Sequence, residues 1–493
     1  MAGCSMFHSF FLISSLSLCY LYSPEKSYVY AYQIEQETAV KEHHLHSYSI
    51  RTSSLLPASA CFASAQGPNN SKNRLKILHR NGPCSHLGGG KTKPLPLAAI
   101  EILSEDQSRV DFLQSRLSNN SRGSAVRNSE ARVPARSGRY LGSGNYVVRV
   151  GLGSPRTDLS LIFDTGSDLT WIQCKPCTRY CHKQQDPIFD PTKSSSYSNV
   201  TCSADECSQL SSATSSPTGC SASTCIYSIQ YGDGSYSVGY FGREMLRLTA
   251  SSSDIFPNFL FGCGQNNQGL FGNAAGLLGL GRHRLSLVSQ TANSYGQVFS
   301  YCLPSTSSST GYLAFGREAI SSVSSAIQFT SLLTNSQYPS FYFLELTAIS
   351  VGGRRLPVSA SDFANSGTII DSGTVITRLP PSVYSALRSA FRQLMSKYRS
   401  AEALSILDTC YDLTRYRTIR IPKIGLHFRG DIVLDVHPNG ILYSGNVSQV
   451  CLAFAGNDDN GDVTILGNKQ QQNLKVIYDL AKQRIGFGPG DCN

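Results

Sequence analysis

The sequence predicts a mostly β protein with few short helices, built as two homologous lobes. Three observations carry that prediction. The chain holds 42 Gly, 25 Tyr and 22 Phe against one Trp and four Met, a mixture suited to short strands and tight turns. Beyond residue 140, short apolar, β-branched runs alternate with Gly/Ser/Pro turns. A short motif at residues 163–167 recurs at 370–374, and each copy has a second matched element downstream.

The strand reading rests on 146–153 (Tyr146-Val147-Val148-Arg149-Val150-Gly151-Leu152-Gly153), closed by a Gly-Ser-Pro turn. Segments 159–163, 260–262, 342–349 and 368–370 have the same texture, and the Phe/Gly-rich run 256–271 reads as strand and core. Helical patterns are few. Segment 382–397 opens on Pro380-Pro381-Ser382 and spaces Val383, Leu387, Phe391 and Leu394 along one face. Segment 100–117 places Ile102, Leu103, Val110, Leu113 and Leu117 near helical spacing. The repeat consists of Phe163-Asp164-Thr165-Gly166-Ser167 and Ile370-Asp371-Ser372-Gly373-Thr374. Each is followed, in the same order, by Gly276-Leu277-Leu278-Gly279-Leu280-Gly281 or Thr464-Ile465-Leu466-Gly467-Asn468. Two signals recurring in one order argue for two lobes. At 493 residues the chain is also longer than a single core usually grows.

Hydrophobic residues make up 41% and charged residues 15%, which excludes a disordered polyelectrolyte. The net charge of +10 is unevenly placed. Residues 1–137 hold 15 Lys+Arg and 9 Asp+Glu, a net of +6, and the remaining 28 and 24 leave +4 over the rest. An apolar, Ser-interrupted stretch at 7–22 reads as a secretory leader, too short for a membrane span. We therefore divide the chain into a signal peptide (1–31), a prosegment with its activation linker (32–137), an N-terminal lobe (138–325) and a C-terminal lobe (326–493). Twelve cysteines beyond residue 137 form an even set, as disulfides in an oxidising compartment require. Sequons at Asn199 and Asn446 are acceptors for glycosylation on a secretory route.

The repeated motif has a chemical use. A buried strand delivers an Asp to a tight turn, Gly lets the backbone approach closely, and the hydroxyl residues can hydrogen-bond the carboxylate. One copy is an ordinary strand-end turn. Two copies, one per lobe, can bring both carboxyls together, and two carboxyls within hydrogen-bonding distance share a proton. One then serves as general base and the other as general acid.

Asp164-Thr165-Gly166-Ser167 and Asp371-Ser372-Gly373-Thr374 resemble the two catalytic motifs of pepsin-like aspartic proteases, whose paired carboxyls are a standard case of proton sharing. Tyr231-Gly232-Asp233-Gly234-Ser235 resembles the flap of that family, with Tyr231 as its active-site tyrosine and Trp171 as the partner that hydrogen-bonds it. The Cys-rich stretch from Trp171-Ile172-Gln173-Cys174-Lys175-Pro176-Cys177 to Cys225 is similar to the plant nepenthesin-like branch. His79-Arg80-Asn81-Gly82-Pro83-Cys84-Ser85 resembles the subgroup named after chloroplast nucleoid DNA-binding proteases. The resemblance implies a bilobal fold with the active site between the lobes and an aspartic endopeptidase made as a secreted zymogen. Asp164 and Asp371 would be catalytic, supported by Thr165, Gly166, Ser167, Ser372, Gly373 and Thr374. Tyr231, Gly232 and Trp171 would form the flap. By the same analogy the disulfides would join Cys174 to Cys177, Cys181 to Cys263, Cys202 to Cys225, Cys207 to Cys220, Cys302 to Cys492 and Cys410 to Cys451. Partners would be extended polypeptide substrates and the chain's own prosegment as intramolecular inhibitor. The enzyme would be a monomer needing no cofactor or metal, secreted to the apoplast, with vacuole or chloroplast as alternatives.

Other readings are weaker. Cys174, Cys177, Cys181 and His182 have the spacing of a zinc set, but disulfides account for them better. Gly88-Gly89-Gly90-Lys91-Thr92 resembles the end of a phosphate-binding loop yet has Ser85 where that motif requires Gly. His43, His44 and His46 read as a solvated cluster. The arginines between Arg109 and Arg139 carry the alternative of a plastid DNA-binding protein, but no recognition helix or zinc finger accompanies them. Their simpler reading is an exposed linker, or a cationic prosegment pairing with acidic groups near the dyad. A catalytically inactive inhibitor-binding homologue is opposed by the intact Asp164, Asp371 and Tyr231.

Overall fold

The structure, a computed structural model, describes residues 46–56, 60–61, 74–87, 95–118, 146–231, 234–249, 251–269, 271–321, 326–364, 367–490 and 492. The leader, the glycine-rich run at 88–92, His43 and His44 lie outside them.

The predicted strands form close to where the apolar runs fall. Tyr146–Leu152 and Thr157–Asp164 pair antiparallel through the Gly-Ser-Pro turn. Thr368–Ile370 matches its expected bounds, and the expected helix at 382–397 spans Pro381–Leu394 with Val383, Leu387 and Phe391 buried. One large sheet crosses the molecule. It runs from Gln328–Ser331 through Arg484–Pro489, Leu474–Asp479, Val298–Cys302 and Thr310–Phe315, then through Arg74–His79 to Tyr146–Leu152 and the N-terminal lobe. The C-terminal lobe is built on smaller sheets, among them a five-stranded one that contains Thr368–Ile370.

The internal repeat is a repeat of topology. In the N-terminal lobe Thr157–Asp164 pairs parallel with Gly276–Gly279, which pairs antiparallel with Trp171–Gln173, itself parallel to Ile255–Gln268. In the C-terminal lobe Thr368–Ile370 pairs parallel with Thr464–Leu466, which pairs antiparallel with Thr377–Leu379, itself parallel to Phe454–Gly456. Each Asp leaves its strand at the same point of the same four-strand pattern. Short buried strands joined side by side in this way hold each loop rigidly over an apolar layer.

Three N-terminal elements pack on this body. Ser47–Arg51 adds antiparallel to Thr418–Pro422 of the C-terminal lobe. Arg74–His79 inserts between Thr310–Phe315 and Tyr146–Leu152. The 24-residue helix Leu95–Ser118 lies across the site. Val110, Leu113 and Leu117 of that helix pack on Phe341, Phe343, Ile369, Val463 and Ile465. Ala99 and Leu103 pack on Val375, Ile376, Leu404 and Leu407.

The described cysteines form seven disulfides, and four of the expected pairings are corrected. Cys302–Cys492 and Cys410–Cys451 occur as expected. Cys174 pairs with Cys263, because Trp171–Gln173 lies beside Ile255–Gln268 and brings the Cys174 N–H to the Gly264 carbonyl. Cys177 is left to close a short loop with Cys181. Cys207, on a short helix, and Cys225, on a strand, are both buried and pair with each other, while the half-buried Cys202 and the exposed Cys220 pair outside them. Burial and register decide these partners, and neither is visible in spacing. A seventh bridge, Cys61–Cys84, lies wholly in the N-terminal segment.

Candidate active site

Asp164 and Asp371 come together at the centre of the molecule, both essentially shut off from solvent. The two turns are locked to each other across the lobes. The Ser372 N–H donates to Thr165 Oγ1 at 2.9 Å, and the Thr165 N–H donates to Ser372 Oγ at 3.1 Å. Asp164 accepts from the Gly166 N–H at 3.0 Å and the Ser167 hydroxyl at 2.8 Å. Asp371 accepts from the Gly373 N–H at 3.0 Å and the Thr374 hydroxyl at 2.6 Å. The glycines are required by space. A Cβ on Gly373 would stand 2.4 Å from Asp164 Oδ1, and one on Gly166 2.8 Å from Asp371 Oδ1. The hydroxyls of Thr165 and Ser372 couple the lobes, while those of Ser167 and Thr374 orient the carboxylates.

Two of the three residues expected at the flap, Tyr231 and Trp171, meet in the structure. Thr224–Gln230 and Tyr236–Arg247 form the hairpin, and Tyr231 at its tip accepts a hydrogen bond from Trp171 Nε1 at 2.7 Å. Both side chains are buried, and burial raises the Tyr231 phenol far above its ordinary range, with the Trp171 bond opposing. Gly232 lies outside the described residues. Asp168 is buried beside the first motif and accepts from the His283 N–H at 2.9 Å. Burial pushes its carboxyl up to about 6. Among the proposed glycosylation sites, Asn199 is exposed, and Asn446 sits at the end of a strand with Ser448 donating to it. The cysteines of the zinc-like set are all consumed in disulfides.

The sequence reading did not single out the residue that occupies the dyad. Arg109, from the middle of the helix Leu95–Ser118, extends its guanidinium between the two carboxylates. Its Nη2 donates to Asp164 Oδ1 at 2.8 Å and to Asp371 Oδ2 at 2.9 Å, and its Nε donates to Asp371 Oδ2 at 3.0 Å. Burial alone would lower the Arg109 pKa, but the two carboxylates outweigh it and hold the guanidinium well above its ordinary value. Burial would likewise raise Asp371. Arg109, the Thr374 hydroxyl and the Gly373 N–H together hold it below the ordinary carboxylate range. Asp164 stays raised, chiefly by burial, with the Asp371 charge adding and Arg109 opposing. With Arg109, Phe112, Leu113 and Arg116 in place, the cavity beside Asp164 has about 30 Å³, room for no more than a few waters. The signal was present in the helix pattern. Asp106 and Arg109 fall on the apolar face marked by Leu103, Val110 and Leu113, where unpaired charges would be costly.

Comparison with known proteins places the chain in a family. The family model described as xylanase inhibitor N-terminal matches residues 146–317, and that described as xylanase inhibitor C-terminal matches residues 341–489. An aspartyl protease family protein of Arabidopsis thaliana is 51% identical over 457 residues, 92% of this chain and 94% of that protein. Aspartic proteinase nepenthesin-2 of Nepenthes gracilis is 36% identical over 441 residues, 86% of this chain and 95% of that protein. Among solved structures, basic 7S globulin from soybean superposes with a TM-score of 0.56 at 21% identity, covering 70% of this chain and 94% of that one.

Proposed function

The chain belongs to the plant pepsin-like aspartyl protease family, and from that premise we propose that it is a secreted aspartic endopeptidase made as a zymogen. The observation that carries this reading is the pair of motif carboxylates, each with its own hydroxyl and N–H donors and both held on one guanidinium from the N-terminal segment.

Once Arg109 is withdrawn, Asp164 and Asp371 share a proton. A water between them attacks the peptide carbonyl carbon and gives its proton to the ionised carboxylate. The protonated carboxyl hydrogen-bonds the carbonyl oxygen and stabilises the gem-diol. A proton then passes to the amide nitrogen and the C–N bond breaks, with no covalent enzyme intermediate. Tyr231 closes over the substrate and excludes bulk water. Because the pair needs one proton, hydrolysis is fastest at acid pH.

Arg109 inhibits in two ways. It neutralises the base, and its helix fills the cleft that an extended substrate needs. That arrangement supports a protease over the inhibitor-binding alternative, since a site with no chemistry to restrain gains nothing from a cation held between its carboxylates. It also counts against nucleic-acid binding by this part of the basic segment, because Arg109 is committed to the dyad. Seven disulfides support an oxidising compartment. The test is to express the full chain, acidify it, sequence the new N-terminus and profile cleavage with and without pepstatin. Pepstatin-sensitive hydrolysis that appears with loss of the N-terminal segment supports the proposal. Full activity in the uncleaved chain at neutral pH would overturn the zymogen reading.

A further inference from the structure

One turn before Arg109 the same helix carries a second buried ion pair. Asp106 accepts from the Val375 N–H at 2.5 Å and the Ile376 N–H at 3.1 Å, and its Oδ2 stands 3.0 Å from Arg378 Nη2. Arg378 is one of the largest fully buried side chains of the protein. Apart from Asp106, it donates only to the Ile376 carbonyl at 2.9 Å and to Gln107 Oε1 at 3.2 Å, and its Nε has no acceptor. Two of its three partners, including its only carboxylate among the described residues, therefore belong to the N-terminal helix. The segment that holds it, residues 375–378, directly follows the second catalytic motif.

Departure of the helix leaves two backbone N–H groups and a guanidinium pointing at the position of a vanished carboxylate. A nearly enclosed guanidinium without a counter-ion is costly, and two N–H groups beside it complete a donor site for two acceptor oxygens. The apolar residues around it, Val375, Ile376, Leu404 and Leu407, are those that Ala99 and Leu103 cover. We propose that in the activated enzyme Val375, Ile376 and Arg378 form a substrate subsite for an acidic side chain, which Asp106 occupies as a stand-in before activation. The proposal rests on the endopeptidase reading and adds a substrate class to it.

The helix also gives the spacing. Asp106 precedes Arg109 by three residues, a rise of about 4.5 Å. An extended peptide advances about 3.3 Å per residue, so the acidic side chain belongs one or two positions from the scissile bond. A carboxylate held by two N–H groups and an arginine fork loses both charge and fit when replaced by a carboxamide.

The test compares acid-activated wild type with Arg378→Met and Arg378→Lys on matched peptides. These peptides carry Glu or Gln at each of the two positions on either side of one cleaved bond. At pH 5.5 wild type cleaves one Glu peptide ~10- to 100-fold more efficiently in kcat/KM than its Gln partner. The ratio shrinks at pH 3, where the peptide carboxyl is protonated. Arg378→Met loses the ratio, and pepstatin-sensitive cleavage of the Gln peptide, at whatever rate, reports that it has folded. Arg378→Lys, which keeps the charge without the fork, retains part of the ratio. A wild-type enzyme that cleaves Glu and Gln peptides alike at all four positions overturns the subsite, as does a preference that survives in Arg378→Met. Absence of pepstatin-sensitive cleavage of either peptide is a different result, and it removes the endopeptidase reading itself.

Discussion

At the scale of single residues, the account turns on Arg109 and His79. Arg109 is the only cation within ion-pair distance of the dyad among the described residues, and removing one member of a buried charge cluster typically costs about 3–5 kcal/mol. Arg109→Met leaves two adjacent carboxyls facing an apolar side chain. We expect the unprocessed variant, its helix held less tightly in the cleft, to bind pepstatin at a higher pH than unprocessed wild type does; calorimetry or inhibitor fluorescence distinguishes the two. His79 ends the inserted strand, packs edge-on against Tyr146 at 5.6 Å, and has an Nδ1 that is enclosed without a partner. Burial, with the charges of Arg80 and Lys469 adding, lowers its pKa from 6.5 to about 4. The released strand therefore binds a proton below pH 6.5 that the docked strand does not bind until about pH 4. Docking is unaffected above 6.5, and it weakens as pH falls through that window, by a limit of ~100-fold or more for a shift of this size. Once the intrinsic pH dependence of exchange is divided out, the protection of the amides from Leu75 to Leu78 should fall between pH 6.5 and 4 in wild type and stay flat in His79→Gln.

At the scale of elements, the strand Arg74–His79 matters as much as the helix Leu95–Ser118. It fills the gap between Thr310–Phe315 and Tyr146–Leu152, so a chain begun at residue 138 would present two unpaired strand edges in the central sheet. Such a chain is expected to be recovered largely as aggregate, whereas the full chain is soluble; fractionation after expression decides. The boundary between prosegment and lobe, drawn at residue 137 from composition, does not coincide with a boundary of the sheet. Most elements could be read from sequence, because alternation and turn residues act locally. The strands at 146–152 and 368–370 and the helix at 381–394 formed within a few residues of expectation. The docking of the helix Leu95–Ser118 was not legible in the same way. Its apolar face is modest, and the reason for Asp106 and Arg109 on that face lies in residues more than fifty positions away in one lobe and more than two hundred in the other.

At the scale of the whole molecule, two lobes are bolted together at the turns that carry Asp164 and Asp371 and crossed by one continuous sheet. The duplicated motif made that symmetry legible, because each lobe must bury the same four-strand pattern to present its Asp. The six disulfides beyond residue 137 were legible in number but only partly in pairing, and the seventh, Cys61–Cys84, was not foreseen. Cys174 finds Cys263 through sheet register rather than the nearby Cys177 through spacing, and the same holds for Cys207 and Cys225. Their distribution has a consequence for activation. Cys61–Cys84 is internal to the N-terminal segment, and the other six bridges lie between residues 174 and 492. A cut within residues 119–145 should therefore leave the segment held without covalent bonds. The cut chain should run as two species on a non-reducing denaturing gel, and by gel filtration it should stay together near neutral pH and separate in acid.

The central claim is that Asp164 and Asp371 act as one proton-sharing pair once Arg109 leaves. The most direct measurement is peptide hydrolysis by Asp371→Asn beside wild type, both taken through the same acid step and freed of the N-terminal segment by an added protease. Loss of activity by ~10³-fold or more, with wild type inhibited by pepstatin, is the predicted result. Full, pepstatin-sensitive activity in Asp371→Asn would contradict it.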